Sequence, residues 1–162
     1  MRWIPEEQIL ICADDMGVVR AIRITEDHRV SSTTGYKDIA LGAFTGGHSS
    51  VILDIQYIKV LSAVATAGLD GRICIWDLQS RKLRNTLVAH QQGVHTLLFH
   101  PKFKLLLSAG FEASIFVWNP TQSKCLSKLA GHYHPLVSIL QVPETDYVCS
   151  ADQFGVVKFW DL

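Results

Sequence analysis

Three short runs decide the reading of this chain: Ile73-Cys74-Ile75-Trp76-Asp77, Ile115-Phe116-Val117-Trp118-Asn119 and Val157-Lys158-Phe159-Trp160-Asp161. Their tryptophans stand 42 residues apart, and so do His48, His90 and His132. Each histidine follows a small residue, Gly47, Ala89 or Gly131. Two independent markers that keep one period establish internal repetition. A repeat of this length is a supersecondary unit that buries its apolar face only by stacking on copies of itself.

Inside the unit, apolar residues follow the period-2 rule of strands. Val94, Leu97 and Phe99 predict an inner strand ended by Pro101, which has no N–H to give to a ladder. Leu105 to Ser108, a turn over Gly110 to Ala113, and Ile115, Val117 and Trp118 predict an antiparallel hairpin. Lys124 to Leu129 predicts a shorter and more polar outer strand. The runs are almost continuously apolar, as strands covered on both faces require.

The first 46 residues read as one degenerate partial unit. Cys12-Ala13-Asp14-Asp15-Met16-Gly17-Val18-Val19 aligns with Ser150-Ala151-Asp152-Gln153-Phe154-Gly155-Val156-Val157, which puts Ile22 where the tryptophan should be. Ile22 to His48 is 26 residues against 14 for Trp76 to His90, so about 12 residues are inserted. The insertion is assigned to a polar loop at 25–35, before a strand at Asp38–Phe44. Full units follow at 47–88 and 89–130, and a unit without its outer strand at 131–162.

A unit of this length with Gly-His near its start and Trp-Asp at its end resembles the WD40 repeat. The resemblance implies an all-β fold of β-propeller blades, about three full ones plus a partial one. A propeller of that family usually has seven or eight blades, so the chain is expected to be an incomplete segment of a larger propeller, with one more outer strand due after Leu162. The stretches Gly47-His48-Ser49-Ser50-Val51-Ile52 and Ala89-His90-Gln91-Gln92-Gly93-Val94 are also similar to large WD-repeat proteins related to EF-hand-containing ciliary components.

The same resemblance implies a structural network in each unit, running from tryptophan to a hydroxyl, to histidine, to a turn acid. The matching residues are Trp76, Thr66, His48 and Asp70, then Trp118, Ser108, His90 and Glu112, then Trp160, Ser150 and His132. In the last unit Phe154 occupies the acid position, so His132 is expected to lack its anchor. Asp152, two positions earlier, is expected to point elsewhere by strand alternation. Glu112 is one methylene longer than aspartate and is expected to fit poorly, which makes the last two units the softer ones. A Ser-His-Asp trio could suggest a hydrolase, but a trio that recurs in every unit is mortar for buried polar groups, not a single catalytic cleft.

Composition narrows the function further. Fifteen basic and fifteen acidic side chains give zero formal net charge, with no clustered Lys and Arg for a phosphate backbone, so nucleic acid is not an expected partner. No run approaches the roughly 18 apolar residues of a spanning helix, and neither a membrane partner nor a small-molecule substrate is expected. Cys12, Cys74, Cys125 and Cys149 lack zinc-site spacing and read as reduced thiols inside a cell. His132 and His134, or His95 and His100, lack further ligands at metal spacing. No nucleotide-loop or nucleophile-elbow motif is present, and no cofactor, metal or catalytic residue is assigned.

What remains is a non-catalytic scaffold for other proteins, expected in the cytoplasm, with the second resemblance pointing to a cytoskeletal or ciliary location. A reader of a modified peptide tail, or a regulatory region of a larger enzyme, are the alternatives. In the resembled family partners dock on the narrow top face. The matching positions are Ser49 and Ser50, Gln91 and Gln92, Tyr133 and His134 after the histidine motif, and Leu69, Phe111 and Gln153 before the turn acid. Leu69 and Phe111 stand out, because large apolar groups in turns read as interface anchors.

Overall fold

The strand-period runs fold into four antiparallel sheets in a computed structural model that describes residues 1–26 and 36–162. The first holds β1 (Arg2–Ile4), β2 (Ile9–Ala13), β3 (Val19–Glu26) and β4 (Tyr36–Phe44); the second, β5 (Ile52–Ile58), β6 (Ala63–Gly68), β7 (Arg72–Asp77) and β8 (Leu83–Val88). The third holds β9 (Val94–His100), β10 (Leu105–Gly110), β11 (Ser114–Trp118) and β12 (Cys125–Ala130), and the fourth β13 (Leu136–Gln141), β14 (Tyr147–Asp152) and β15 (Val157–Asp161). Each sheet is a meander whose strands pair in chain order. These are the propeller blades that the repeat implied, in an incomplete propeller with no closed sheet among the described residues.

The stretch read as a partial unit carries four strands, the first only three residues long. The loop expected at 25–35 falls outside the described residues, except that Thr25 and Glu26 belong to β3.

Strand alternation sends each sheet's side chains in two directions, and this builds the core as layers between consecutive sheets. Ile9, Ile11, Val19 and Phe44 of the first sheet meet Val64, Cys74 and Trp76 of the second. The opposite face of the second sheet, Ala63, Ala65, Ala67, Ile73 and Ile75, meets Leu106, Phe116 and Trp118 of the third. Leu107, Ala109, Ile115 and Val117 meet Ile139 and Val148 of the fourth. The alanine row of β6 leaves room for Trp118, a large-against-small match across the layer.

The register slips at the same place in three sheets, between Ile52 and Asp54, Ala109 and Gly110, and Leu136 and Ser138. Leu53, His95 and Val137 are the skipped residues, again 42 apart. A bulge re-aims the side chain it carries, and here it brings the start of each inner strand to the rim. Single polar ties cross the layers. Leu97 N–H donates to Asp54 Oδ2 at 2.7 Å, joining the second and third sheets. Lys102 pairs with Asp146 between the third and fourth.

One buried group breaks the apolar pattern. His100 occupies the position of Ile58, 42 residues earlier, and both are fully buried. Its ring stacks on Phe103 with centroids 4.8 Å apart, and neither ring nitrogen has a partner among the described residues.

Candidate functional site

In the second sheet the b strand (β6) presents Thr66 toward β7, and the turn after β6 returns Asp70 beneath His48. The Trp76 indole N–H donates to Thr66 Oγ1 at 2.8 Å. His48 Nε2 lies 2.8 Å from the same oxygen, and His48 Nδ1 lies 3.1 Å from Asp70 Oδ1. The Asp70 carboxylate can only accept, so Nδ1–H donates to it; Nε2 of that tautomer accepts the Thr66 hydroxyl proton, while the Thr66 oxygen accepts the indole N–H. Asp70 also accepts Ser49 N–H at 2.9 Å and Arg72 N–H at 3.1 Å. Burial pushes the Asp70 carboxyl up, but these donors outweigh it and hold it below the usual carboxylate range. The result is a rigid strut: one buried tryptophan, one turn and one rim loop locked together.

The third sheet repeats the inner half and loosens the outer half. Trp118 donates to Ser108 Oγ at 2.8 Å, and His90 Nε2 lies 2.7 Å from that oxygen. Glu112 accepts Gln91 N–H at 2.6 Å. Its extra methylene carries it past His90, whose Nδ1 sits 3.3 Å from Oε1 but poorly aligned, and finds no hydrogen-bond partner. Burial drives the His90 imidazole down, against the opposing pull of Glu112.

The fourth sheet corrects the expectation that His132 is unanchored. Trp160 donates to Ser150 Oγ at 2.8 Å, His132 Nε2 lies 2.7 Å from Ser150 Oγ, and His132 Nδ1 lies 2.9 Å from Asp152 Oδ2. Residues i and i+2 of a strand share a face, so alternation places Asp152 beside Ser150 and toward His132. In the second sheet that position is Gly68, where a Cβ would come within 2.6 Å of His48 Nδ1 and 2.7 Å of Asp70 Oδ1. The space that Gly68 leaves for an acid reaching back from the turn is filled in the fourth sheet from the strand itself. The other oxygen of Asp152 accepts Phe154 N–H at 3.0 Å and Val156 N–H at 3.1 Å. Asp14 binds its turn the same way, accepting Met16 and Val18 N–H, and pairs with Arg20 at 2.7 Å. The shared Asp-x-x-Gly turn of residues 14–17 and 152–155 was the signal in the sequence.

At the rim, Leu69, Phe111 and Gln153 are fastened by their own backbones. Leu69 N–H donates to Val51 O at 2.9 Å, Phe111 N–H to Gly93 O at 3.1 Å and Gln153 N–H to Pro135 O at 3.1 Å. Both apolar members stay exposed, Leu69 at 47% and Phe111 at 43%. They converge on Gly93, where a Cβ would lie 2.8 Å from Leu69 Cδ1 and 3.1 Å from Phe111 Cδ2. His95, the bulged residue, meets the edge of Phe111 with centroids 5.3 Å apart. Tyr133 is 90% exposed, His134 packs against Phe154 at 4.2 Å, Gln92 and Gln153 are exposed, and Ser50 is half-buried. His95 and Phe154 belong to the rim, although their positions in the repeat did not mark them. Among the described residues no group of three or more His, Cys, Asp or Glu is placed to hold a metal ion. Cys74 is buried, which pushes its thiol up to about 12, and the four cysteines are free.

His90 and His100 together give the fold an acid sensitivity. Burial lowers both imidazoles; at His100 Asp146 opposes the shift and Lys102 adds to it. They fold neutral, whereas the unfolded chain takes up protons below about pH 6.5. Folding stability is therefore level above that pH and falls as the pH drops through it. Urea midpoints measured from neutral pH to about pH 5, above the usual carboxylate range, should decline. His100→Ile, which restores the residue of the preceding sheet, should raise the neutral-pH midpoint and flatten that decline. An unaltered slope in this variant would rule out His100 as a contributor.

Sheets that repeat every 42 residues, three of them braced by a tryptophan bonded to a Ser or Thr hydroxyl, define a β-propeller blade protein. Residues 41–77 and 81–119 match the model of the WD domain, G-beta repeat, and the chain is a WD40-repeat protein. Cilia- and flagella-associated protein 337 B of Tetrahymena thermophila is 32% identical over 72% of this chain and 9% of its own length. DmX-like protein 1 of Homo sapiens is 27% identical over 71% of this chain and 4% of its length. Pre-mRNA-processing factor 19 of Bos taurus is 26% identical over 78% of this chain and 26% of its length. The chain thus corresponds to no more than about a quarter of any of these three relatives. No described helix is long and apolar enough to cross a membrane.

Proposed function

We propose that this chain is a non-catalytic scaffold that holds a protein partner on its rim. The observation that carries this reading is the convergence of Leu69 and Phe111, from neighbouring sheets, on Gly93. Two large apolar side chains are held at the surface by backbone hydrogen bonds and braced struts, and their positions are set before any partner arrives. Preorganised apolar anchors lose little freedom on binding and so contribute most of an interface's affinity. Gln92 beside them, and Tyr133, His134, Gln153 and Ser50 around the rim, supply polar edges. The Ser-His-Asp sets are used up in bracing tryptophans, and their hydroxyls face indoles, which supports a non-enzymatic role. The similarity to a cilia- and flagella-associated protein favours a cytoskeletal or ciliary setting.

The test is a comparison of the wild-type chain with Leu69→Ala and Phe111→Ala as baits in extracts of ciliated cells, with recovered proteins quantified by mass spectrometry. Each variant should lose a common set of partners at least about tenfold, which corresponds to about 1.4 kcal/mol, at an unchanged melting temperature. Retention of the whole partner set by both variants would refute rim binding. A fall in melting temperature matching the lost binding would assign the two residues to folding instead.

A further inference from the structure

Charge is sorted between the two rims, although the formal net charge is zero. Successive strands of a meander reverse direction, so the connections 59–62, 78–82, 101–104 and 119–124 of the second and third sheets share the rim opposite Leu69 and Phe111. They hold Lys59, Arg81, Lys82, Lys102, Lys104 and Lys124, and no carboxylate. On the Leu69 side, the connections 69–71, 89–93 and 111–113 hold Asp70 and Glu112, and no Lys or Arg. Lys59 pairs with Glu6 and Lys102 with Asp146, each acid coming from a neighbouring sheet. Lys104 and Lys124 make no ion pair among the described residues.

A cleft of about 280 Å³ opens on this basic rim between the second and third sheets. Both of those sheets have a further sheet packed on each face. Val60, Leu61, Phe99, Phe103 and Leu105 line the cleft together with Lys104. Val60 is 55% exposed, so an apolar wall is open to a ligand. The walls are held in place from behind. Phe103 stacks on His100 and receives the Lys102 ammonium 5.3 Å from its ring centroid. Arg84 donates to Leu61 O at 2.9 Å, and Asn85 Nδ2 donates to Pro120 O at 3.3 Å, which ties one sheet to the next beside the cleft.

We infer that this cleft binds an acidic peptide segment, with one large apolar side chain in the cleft and carboxylates against Lys104 and the bases around it. Size excludes an enclosed small molecule, since pockets for those run to roughly 300–1,000 Å³, and leaves room for one or two side chains of a longer ligand. Charge selects the acidic peptide, because like charges on a partner repel and opposite ones fix its register. A phosphate backbone would use the bases and waste five apolar walls, and six bases on two sheets make no continuous track for it. A lipid surface needs apolar groups that protrude, and these form a hollow. Because the site lies opposite Leu69 and Phe111, the chain holds this partner without displacing one on the other rim.

Fluorescein-labelled synthetic peptide pools, read by fluorescence polarisation against the purified chain, provide the test. In the first pool a central Leu, Phe or Trp is flanked by random Asp and Glu. The second has Gly at the centre, and the third has Lys and Arg as flanks. The first pool should bind at least about tenfold tighter than either of the others, or about 1.4 kcal/mol, and added salt should weaken it. Val60→Asp and Lys104→Glu change exposed residues. Each should reduce binding about tenfold at an unmoved melting temperature, whereas Leu69→Ala on the opposite rim should leave it unchanged. Absence of saturable binding by the first pool would overturn the inference. So would equal binding of the glycine pool, unaltered affinity in both cleft variants, or tighter binding of oligo(dT) or phosphatidylserine vesicles than of the first pool.

Discussion

Trp76→Ala and Trp118→Ala should each lower the unfolding free energy by about 3–5 kcal/mol, the range for deleting a fully buried aromatic side chain. Both indoles are completely buried, each in a layer closed on both sides by a sheet. Each also supplies the donor for a buried hydroxyl, at 2.8 Å from Thr66 and Ser108. Removing the ring leaves a cavity and takes away one hydrogen bond from an oxygen that water cannot reach. Trp160→Ala should cost clearly less. Its indole makes the same bond to Ser150, yet it is only half-buried, so water can replace part of what is lost. Urea denaturation with unchanged m values would measure the series. Equal losses at all three positions would show that the layers do not act as separate cores.

Asp152→Ala should lower the melting temperature by on the order of 10 °C, the equivalent for a chain of this size of losing a buried, multiply bonded carboxylate. The residue is 3% exposed and its two oxygens accept from His132, Phe154 and Val156. Burial raises its carboxyl, and those three donors outweigh burial and hold it below the usual range. Alanine would leave His132 Nδ1–H and two turn amides without an acceptor. Asp152→Asn keeps the shape and one acceptor and should lose less. Phe154→Asp, which rebuilds the acid at the aligned position, should not rescue Asp152→Ala fully: it can take the Val156 N–H, as Asp70 takes Arg72 N–H, but leaves the residue 154 amide unpaired. Amide hydrogen exchange at Phe154 and Val156 would report the turn directly. A melting temperature unmoved by Asp152→Ala would return His132 to the unanchored state that the alignment implied.

The error at Asp152 shows where linear reading stops. Alignment treats position 154 as the only seat for an acid because Asp70 and Glu112 stand there. The chain needs only a carboxylate at one point in space beneath the histidine. That point can be reached from the turn, across the gap over Gly68, or from the strand at Asp152. His100 is a second case: a periodic reading offers a core position there, and nothing local says that an imidazole fills it without partners. The anchoring of Glu112 went the other way. One extra methylene is a local quantity, and its misfit against His90 Nδ1 was legible from the residue type.

Periodicity by itself determined unit length, strand order and the seats of the tryptophans and histidines; the rim positions of Leu69 and Phe111 came from laying the WD40 resemblance over them. The former follow from repetition and alternation, which act along the chain and need no knowledge of what lies across a layer. Only the tertiary structure decided which acid meets each histidine and that Leu69 and Phe111 close on one glycine. Each of these depends on distances between segments at least a dozen residues apart, where a methylene or a missing Cβ sets the outcome.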